Sequence, residues 1–97
     1  MAIQQLTGAN VALTTATNEY SLVIPPQASN LSIRFREATG TVKVYKVGVG
    51  NGGTPANFIT VDASKPFTLL GVFGGQTIYL MGDTNATHAE AAYLIDN

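Results

Sequence analysis

N-L-S-I-R-F-R at residues 30–36, E-A-T-G at 37–40 and T-V-K-V-Y-K-V at 41–47 form the most legible stretch of this chain. Two alternating segments around a short polar connection read as strands joined by a turn. With Glu37 to Gly40 as the loop of a hairpin, Arg36 faces Thr41, Phe35 faces Val42, Arg34 faces Lys43, Ile33 faces Val44 and Leu31 faces Lys46. Directly opposed residues share one face of a sheet. Leu31, Ile33, Phe35, Val42 and Val44 are therefore expected to be buried, with Ser32, Arg34, Arg36, Lys43 and Tyr45 on the other face. A slip of one residue would mix the two faces.

Working outward, residues 20–24 (Y-S-L-V-I) are rich in strand formers and end at Pro25-Pro26, which have no N–H to give to a ladder. Residues 4–15 alternate weakly around Gly8 and Asn10 and suggest one or two short strands, with residues 1–15 alternatively an N-terminal arm that crosses to a neighbouring subunit. Past Val47 a glycine-rich segment, residues 48–53, leads to strands at 58–61 and 67–70. Residues 76–82 and 86–96 suggest a second hairpin around Asp83-Thr84-Asn85, pairing Leu80 with Ala89 or, with a longer loop, Ile78 with Tyr93. Residues 86–92 have fair helix propensity, but the following Tyr93-Leu94-Ile95 favours a strand. Eight or nine short strands punctuated by Gly and Pro predict a single all-β domain over residues 1–97: an antiparallel β-sandwich, jelly-roll-like or immunoglobulin-like, of about eight strands.

Composition limits the function classes. At 97 residues a second core does not fit. Cysteine is absent, so neither disulfides nor thiolate metal sites supplement that core. Charged residues make up 11%, against about 25% in an average domain. A surface so weakly charged resists association poorly, which points to a homo-oligomer, a dimer or trimer. The net charge of −1 and five basic residues offer no field for a polyanion, so a nucleic-acid partner is not expected. The first five residues do not resemble a signal peptide and no apolar run approaches the ~20 residues of a membrane span, so no membrane partner and no export are expected.

No motif spells out a chemistry. Residues 48–53 match G-x-G-x-x-G, yet Thr54-Pro55 and a β-branched run follow where the motif needs a helix N-terminus, so a flexible connection is expected. Asp83-Thr84-Asn85 begins like a calcium loop but lacks the sixth-position glycine and the distal glutamate; Asx turns account for it. His88, the only histidine, shares a strand face with Glu90 and is expected near Met81 as ordinary surface pairing. Neither a nucleophile turn nor a recognisable carboxylate pair is present, so no catalytic residue, no cofactor and no enzymatic activity are expected. The basic face is the one anomaly: Arg34 opposite Lys43 places like charges in cross-strand contact, which needs compensation. Glu37, Glu19 or Glu90 could supply it internally, or an acidic partner surface externally. Arg34, Arg36, Lys43 and Tyr45, with Gly50 and Asn51 on the mobile glycine-rich loop, are accordingly the candidate protein-interface residues.

The order Ser21-Leu22-Val23-Ile24-Pro25-Pro26, an L-x-I-R-x-R strand at 31–36, Phe67-Thr68-Leu69, Thr77-Ile78-Tyr79-Leu80 and a final Ala/Tyr/Leu strand resembles small structural proteins of tailed bacteriophages, among them capsid decoration (cement) and other head-associated proteins. The resemblance spans residues 20–95 and rests on strand order and composition. It implies a β-sandwich, made in the host cytoplasm, that decorates the virion as a symmetric oligomer and binds the major capsid protein or another virion protein. A carbohydrate- or receptor-binding module and a small inhibitor of one cellular partner remain the alternatives. Exposed aromatics on one loop edge would favour the former; Phe58, Phe67 and Phe73 are expected in the core.

Overall fold

The computed structural model describes residues 4–37, 39–72 and 75–96, and none of these is helical. The strands are β1 (Gln4–Leu13), β2 (Tyr20–Val23), β3 (Ala28–Phe35), β4 (Thr41–Tyr45), β5 (Ile59–Asp62), β6 (Phe67–Val72), β7 (Thr77–Gly82) and β8 (Thr87–Asp96). Each coincides with a stretch of alternating or β-branched residues. The helix-prone residues around Ala89 lie within β8, where pairing on both sides outweighs a propensity of a few tenths of a kcal/mol per residue.

The strands form two four-stranded antiparallel sheets, ordered β1-β8-β3-β6 and β2-β7-β4-β5. The pairings β1 with β8, β2 with β7, β3 with β6 and β4 with β5 are those of one long hairpin folded about its middle. Rolling that ribbon adds β3 beside β8 and β4 beside β7. This is the eight-stranded jelly roll, one of the two sandwich topologies expected from the sequence.

Neither expected hairpin forms. β3 and β4 lie in opposite sheets, as do β7 and β8. The inner faces are nevertheless as read: Leu31, Ile33, Phe35, Val42 and Val44 are all buried and belong to one core cluster. Alternation states which side of a strand is apolar, and that requirement is met equally by strands lying side by side and by strands facing each other across a core. Arg34 consequently pairs with Glu90, while Lys43 pairs with Met81 and Thr60.

Leu13, Ile24, Leu31, Ile33, Val42 and Leu80 fill the centre, each essentially inaccessible to water. Each such aliphatic side chain contributes roughly 1.5–3 kcal/mol relative to exposure. β3 carries a bulge between Ser29 and Leu31, where Asn30 adopts a positive φ of 56°. Asn tolerates this region better than most residues. Gly40, at φ +85°, has a stricter role: a Cβ there would run into Asp83 Oδ1 and Thr84 Oγ1. Gly50, at φ +82°, has open space around it.

Gly40→Ala is therefore expected to lower the unfolding free energy by about 2–4 kcal/mol, through left-handed backbone strain plus a steric clash. Gly50→Ala should cost only the strain, about 1–2 kcal/mol. Urea denaturation of the two variants measures the difference; equal losses would mean that the space around Gly40 is not the constraint.

Candidate interaction surfaces

Strand pairing separates the expected basic face into two. On the first sheet, Glu90 projects from β8 between two arginines, with Arg34 Nε at 3.4 Å and Arg36 Nη2 at 3.3 Å. The like-charge problem of the hairpin reading is thus absent, and compensation is internal. All three side chains keep solvent contact, so these pairs contribute about 0–1 kcal/mol each. Next to them the Glu37 carboxylate takes two bonds from one residue: the His88 backbone N–H at 2.7 Å and the His88 ring Nδ1 at 2.8 Å. A carboxylate only accepts, so Nδ1 carries the proton. Burial pushes the Glu37 carboxyl up, but the bonds from His88 outweigh it and hold the group below its ordinary value. Met81, expected beside His88, belongs to the other sheet.

On the second sheet Lys43 and Tyr45 share the outer side of β4. Lys43 Nζ lies 4.9 Å from the centroid of the Phe58 ring, a cation–π contact. Tyr45 departs from the sequence reading. It is buried, because its ring stacks on Tyr79 with centroids 5.8 Å apart and a loop covers the pair. The cover is organised by Glu19: one carboxylate oxygen accepts the Tyr45 hydroxyl at 2.8 Å and the Val49 N–H at 2.7 Å. The bond from Val49, together with the weaker one from Tyr45, holds Glu19 below the ordinary carboxylate range despite some burial. Burial first, and the Glu19 carboxylate second, push the Tyr45 phenol up.

The glycine-rich loop is accordingly fastened at several points, in contrast to the free connection expected. Asn51 Oδ1 accepts the Glu19 N–H at 2.8 Å, and Gly52 N–H donates to the Thr17 carbonyl at 2.7 Å. Of the two loop residues named as interface candidates, Asn51 has a structural bond and Gly50 is exposed with a positive φ. Asp83 and Asn85 make bonds far along the chain. Asp83 accepts the Thr41 N–H at 2.9 Å and its hydroxyl at 3.0 Å, and Asn85 accepts the Ala16 N–H at 2.7 Å. These contacts fasten the turns at one end of the sandwich to one another. Among the described residues no group of three or more His, Asp or Glu side chains is placed to hold a metal.

A groove of about 360 Å³ opens where the core side of β4 and β5 meets β6, lined chiefly by Val44, Phe58, Ile59, Phe67 and Ile78, with Lys46 at its edge. Ile59 pairs with Val44 and so points to the core side, yet it is 52% exposed because nothing covers it there among the described residues. Phe58, expected in the core, is 44% exposed; Phe67 is half-buried and Phe73 lies outside the described residues. With Val47 and Val49, four of the six exposed large apolar side chains among the described residues fall in residues 47–59. The sequence reading missed this surface because Phe and Ile in a strand pattern signal burial. The edge position of β5, which only the sheet order reveals, leaves them uncovered.

No family model and no curated protein matches the chain. Among solved structures it is similar to a chain of the Bacillus endospore appendages, described as a novel family of disulfide-linked pili, with a TM-score of 0.49 and 17% identity over 99% of this chain and 88% of that one. Nothing about function follows from a likeness of that order.

The lowered carboxylates and the raised phenol define a stability profile. A carboxyl group whose folded-state pKa lies below its ordinary value stabilises the fold above that value and loses the contribution as pH falls through the folded one. Glu19 and Glu37 are lowered from 4.5, Asp62 and Asp83 from 3.8, so stability should fall as pH drops below 4.5, and Glu19→Gln should remove part of that fall. For Tyr45, raised from 10, the contribution is present below pH 10 and lost above it. Tyr45→Phe should flatten that alkaline limb. Thermal unfolding from pH 2 to pH 12 tests both limbs.

Proposed function

We propose that this chain is a non-enzymatic structural protein that works by adhesion to a protein surface, and that the surface is the shell of a bacteriophage virion, as the resemblance of residues 20–95 implies. The observation that carries the adhesive part is the apolar groove, on whose lining Phe58 and Ile59 are both exposed. Contiguous exposed apolar surface on a small domain marks an interaction site. The carboxylates support the non-enzymatic part: Glu19, Glu37, Asp62, Asp83 and Glu90 are all engaged in bonds that hold turns or strands together. In this reading an apolar side chain of the major capsid protein, or of another virion protein, fills the groove. Arg34 and Arg36, whose side chains remain 75% and 51% exposed, add a polar contact on the other sheet.

A carbohydrate-binding module is the second reading, favoured by the exposure of the Phe58 ring. Lys43 already occupies one face of that ring, and of the neutral polar side chains among the described residues lining the groove, Tyr45 gives its hydroxyl to Glu19, which leaves Asn57 and Gln76. Both features fit a protein ligand better than a sugar.

Co-sedimentation of the purified protein with undecorated phage heads tests the proposal. The expected outcome is saturable binding that Ile59→Asp weakens by about tenfold or more, the loss typical of a central apolar anchor. Absence of binding to heads, with retention on immobilised glycans instead, would replace it by the carbohydrate reading.

A further inference from the structure

The side of the sandwich opposite the groove carries an edge of a different kind. β1 is the outermost strand of its sheet and is paired with β8 over all ten residues, Gln4 to Leu13, without a register shift. Its other side presents the alternate N–H and C=O groups that a further strand would use. Sheet edges are normally protected by shortness, charge, proline or a bulge. The other three edges of this molecule show such features: β2 has four residues and runs toward Pro25-Pro26, β5 has four residues and ends in Asp62, and β6 begins directly after Lys65-Pro66. β1 has none of them. Its sequence Q-Q-L-T-G-A-N-V-A-L contains no charged residue and no proline, and Leu6 on its outer face is 76% exposed.

We infer that β1 is a self-association edge on which a second copy of this chain pairs its own β1 antiparallel, giving one continuous eight-stranded sheet across a two-fold axis. The absence of charge is what selects a second copy as the occupant. Across a two-fold axis each residue meets its own neighbourhood, so any charge near the centre of the strand would face its like. The outer side of β1, with Leu6, Gly8, Asn10 and Ala12, presents none. Two charged residues stand opposite β1 on β8: Glu90, facing Asn10 and already held between Arg34 and Arg36, and Asp96, facing Gln4 at the end of the strand and away from its centre. Antiparallel pairing of a strand with itself also keeps faces in register, so that Ala9 and Val11, which pack against the core, align with their counterparts in the partner copy. The strand is roughly 33 Å long at about 3.3 Å per residue, enough for several ladder bonds in each direction. This pairing is independent of shell binding, which uses the groove on the far side.

Gly8 supplies the test. It lies at the middle of β1, and a Cβ added there meets only the Ala91 carbonyl oxygen at 3.8 Å, an ordinary contact, so a side chain is accommodated without disturbing the fold. Light scattering of the full chain between about 1 µM and about 1 mM should show a monomer–dimer equilibrium. Gly8→Lys, which sets two lysines beside the axis, should raise the dimer dissociation constant at least about tenfold, while its melting profile at a concentration where both proteins are monomeric stays that of the original. An equimolar mixture of Gly8→Lys and Gly8→Glu should recover a heterodimer, and Ser21→Lys on the β2 edge should leave the dimer intact. A monomer throughout the range, a Gly8→Lys dimer as tight as the original, or dissociation by Ser21→Lys alone would each overturn the inference. None of these outcomes alters whether the protein binds phage heads, so the two proposals fail separately.

Discussion

The burial of two alternating faces against each other is the constraint from which the rest of the molecule follows. Leu31, Ile33 and Phe35 on one sheet need an apolar surface opposite them, and Val42, Val44 and Leu80 on the other provide it. Meeting that need sends the chain from one sheet to the other at nearly every turn; among the described strands, only β4 and β5 are consecutive and paired. Crossing connections make no ladder bonds between their own flanking strands. Their backbone groups must be satisfied by other parts of the chain, and this is what the polar residues do.

That division of labour explains where the few charges are placed. Glu19 joins Tyr45 to the loop at Val49, Asp83 joins the β7–β8 turn to Thr41, and Glu37 joins the end of β3 to His88. Each carboxylate bridges segments remote in sequence and accepts at least one backbone N–H. Thr17, a β-branched residue held at φ 65°, belongs to the same arrangement: its N–H bonds Gly82 and its carbonyl accepts from Gly52. Such a conformation persists only where the surroundings over-determine it. Glu19, Glu37 and Asp83 are thus committed to holding turns and strand ends together, and the groove and the β1 edge carry apolar and neutral residues.

Two such surfaces lie on opposite sides of the sandwich. The groove beside β5 results from an edge strand whose core-facing Ile59 has nothing above it among the described residues. The β1 edge is ten residues long and uncharged, and it is the outermost strand of its sheet. A protein that must both associate with itself and adhere to something else needs two surfaces that do not overlap, and a jelly roll provides them because its two pairs of edge strands are separated by the width of the sheets.

The sequence by itself determined the fold class, the position of nearly every strand and which residues of β3 and β4 face the core, because these depend on local alternation and on where Gly and Pro interrupt it. It also contained a warning in the Arg34–Lys43 juxtaposition: a like-charge pair in an otherwise consistent hairpin indicated that the neighbours were wrongly matched. Glu90 sits fifty-odd residues downstream in sequence, opposite Arg34 in the sheet. Only the tertiary structure decided which strands are neighbours, and with that the burial of Tyr45, the exposure of Phe58 and Ile59, and the open edge of β1. The physical reason is that alternation encodes the side a residue faces, whereas the partner on that side is chosen by the packing of the whole chain.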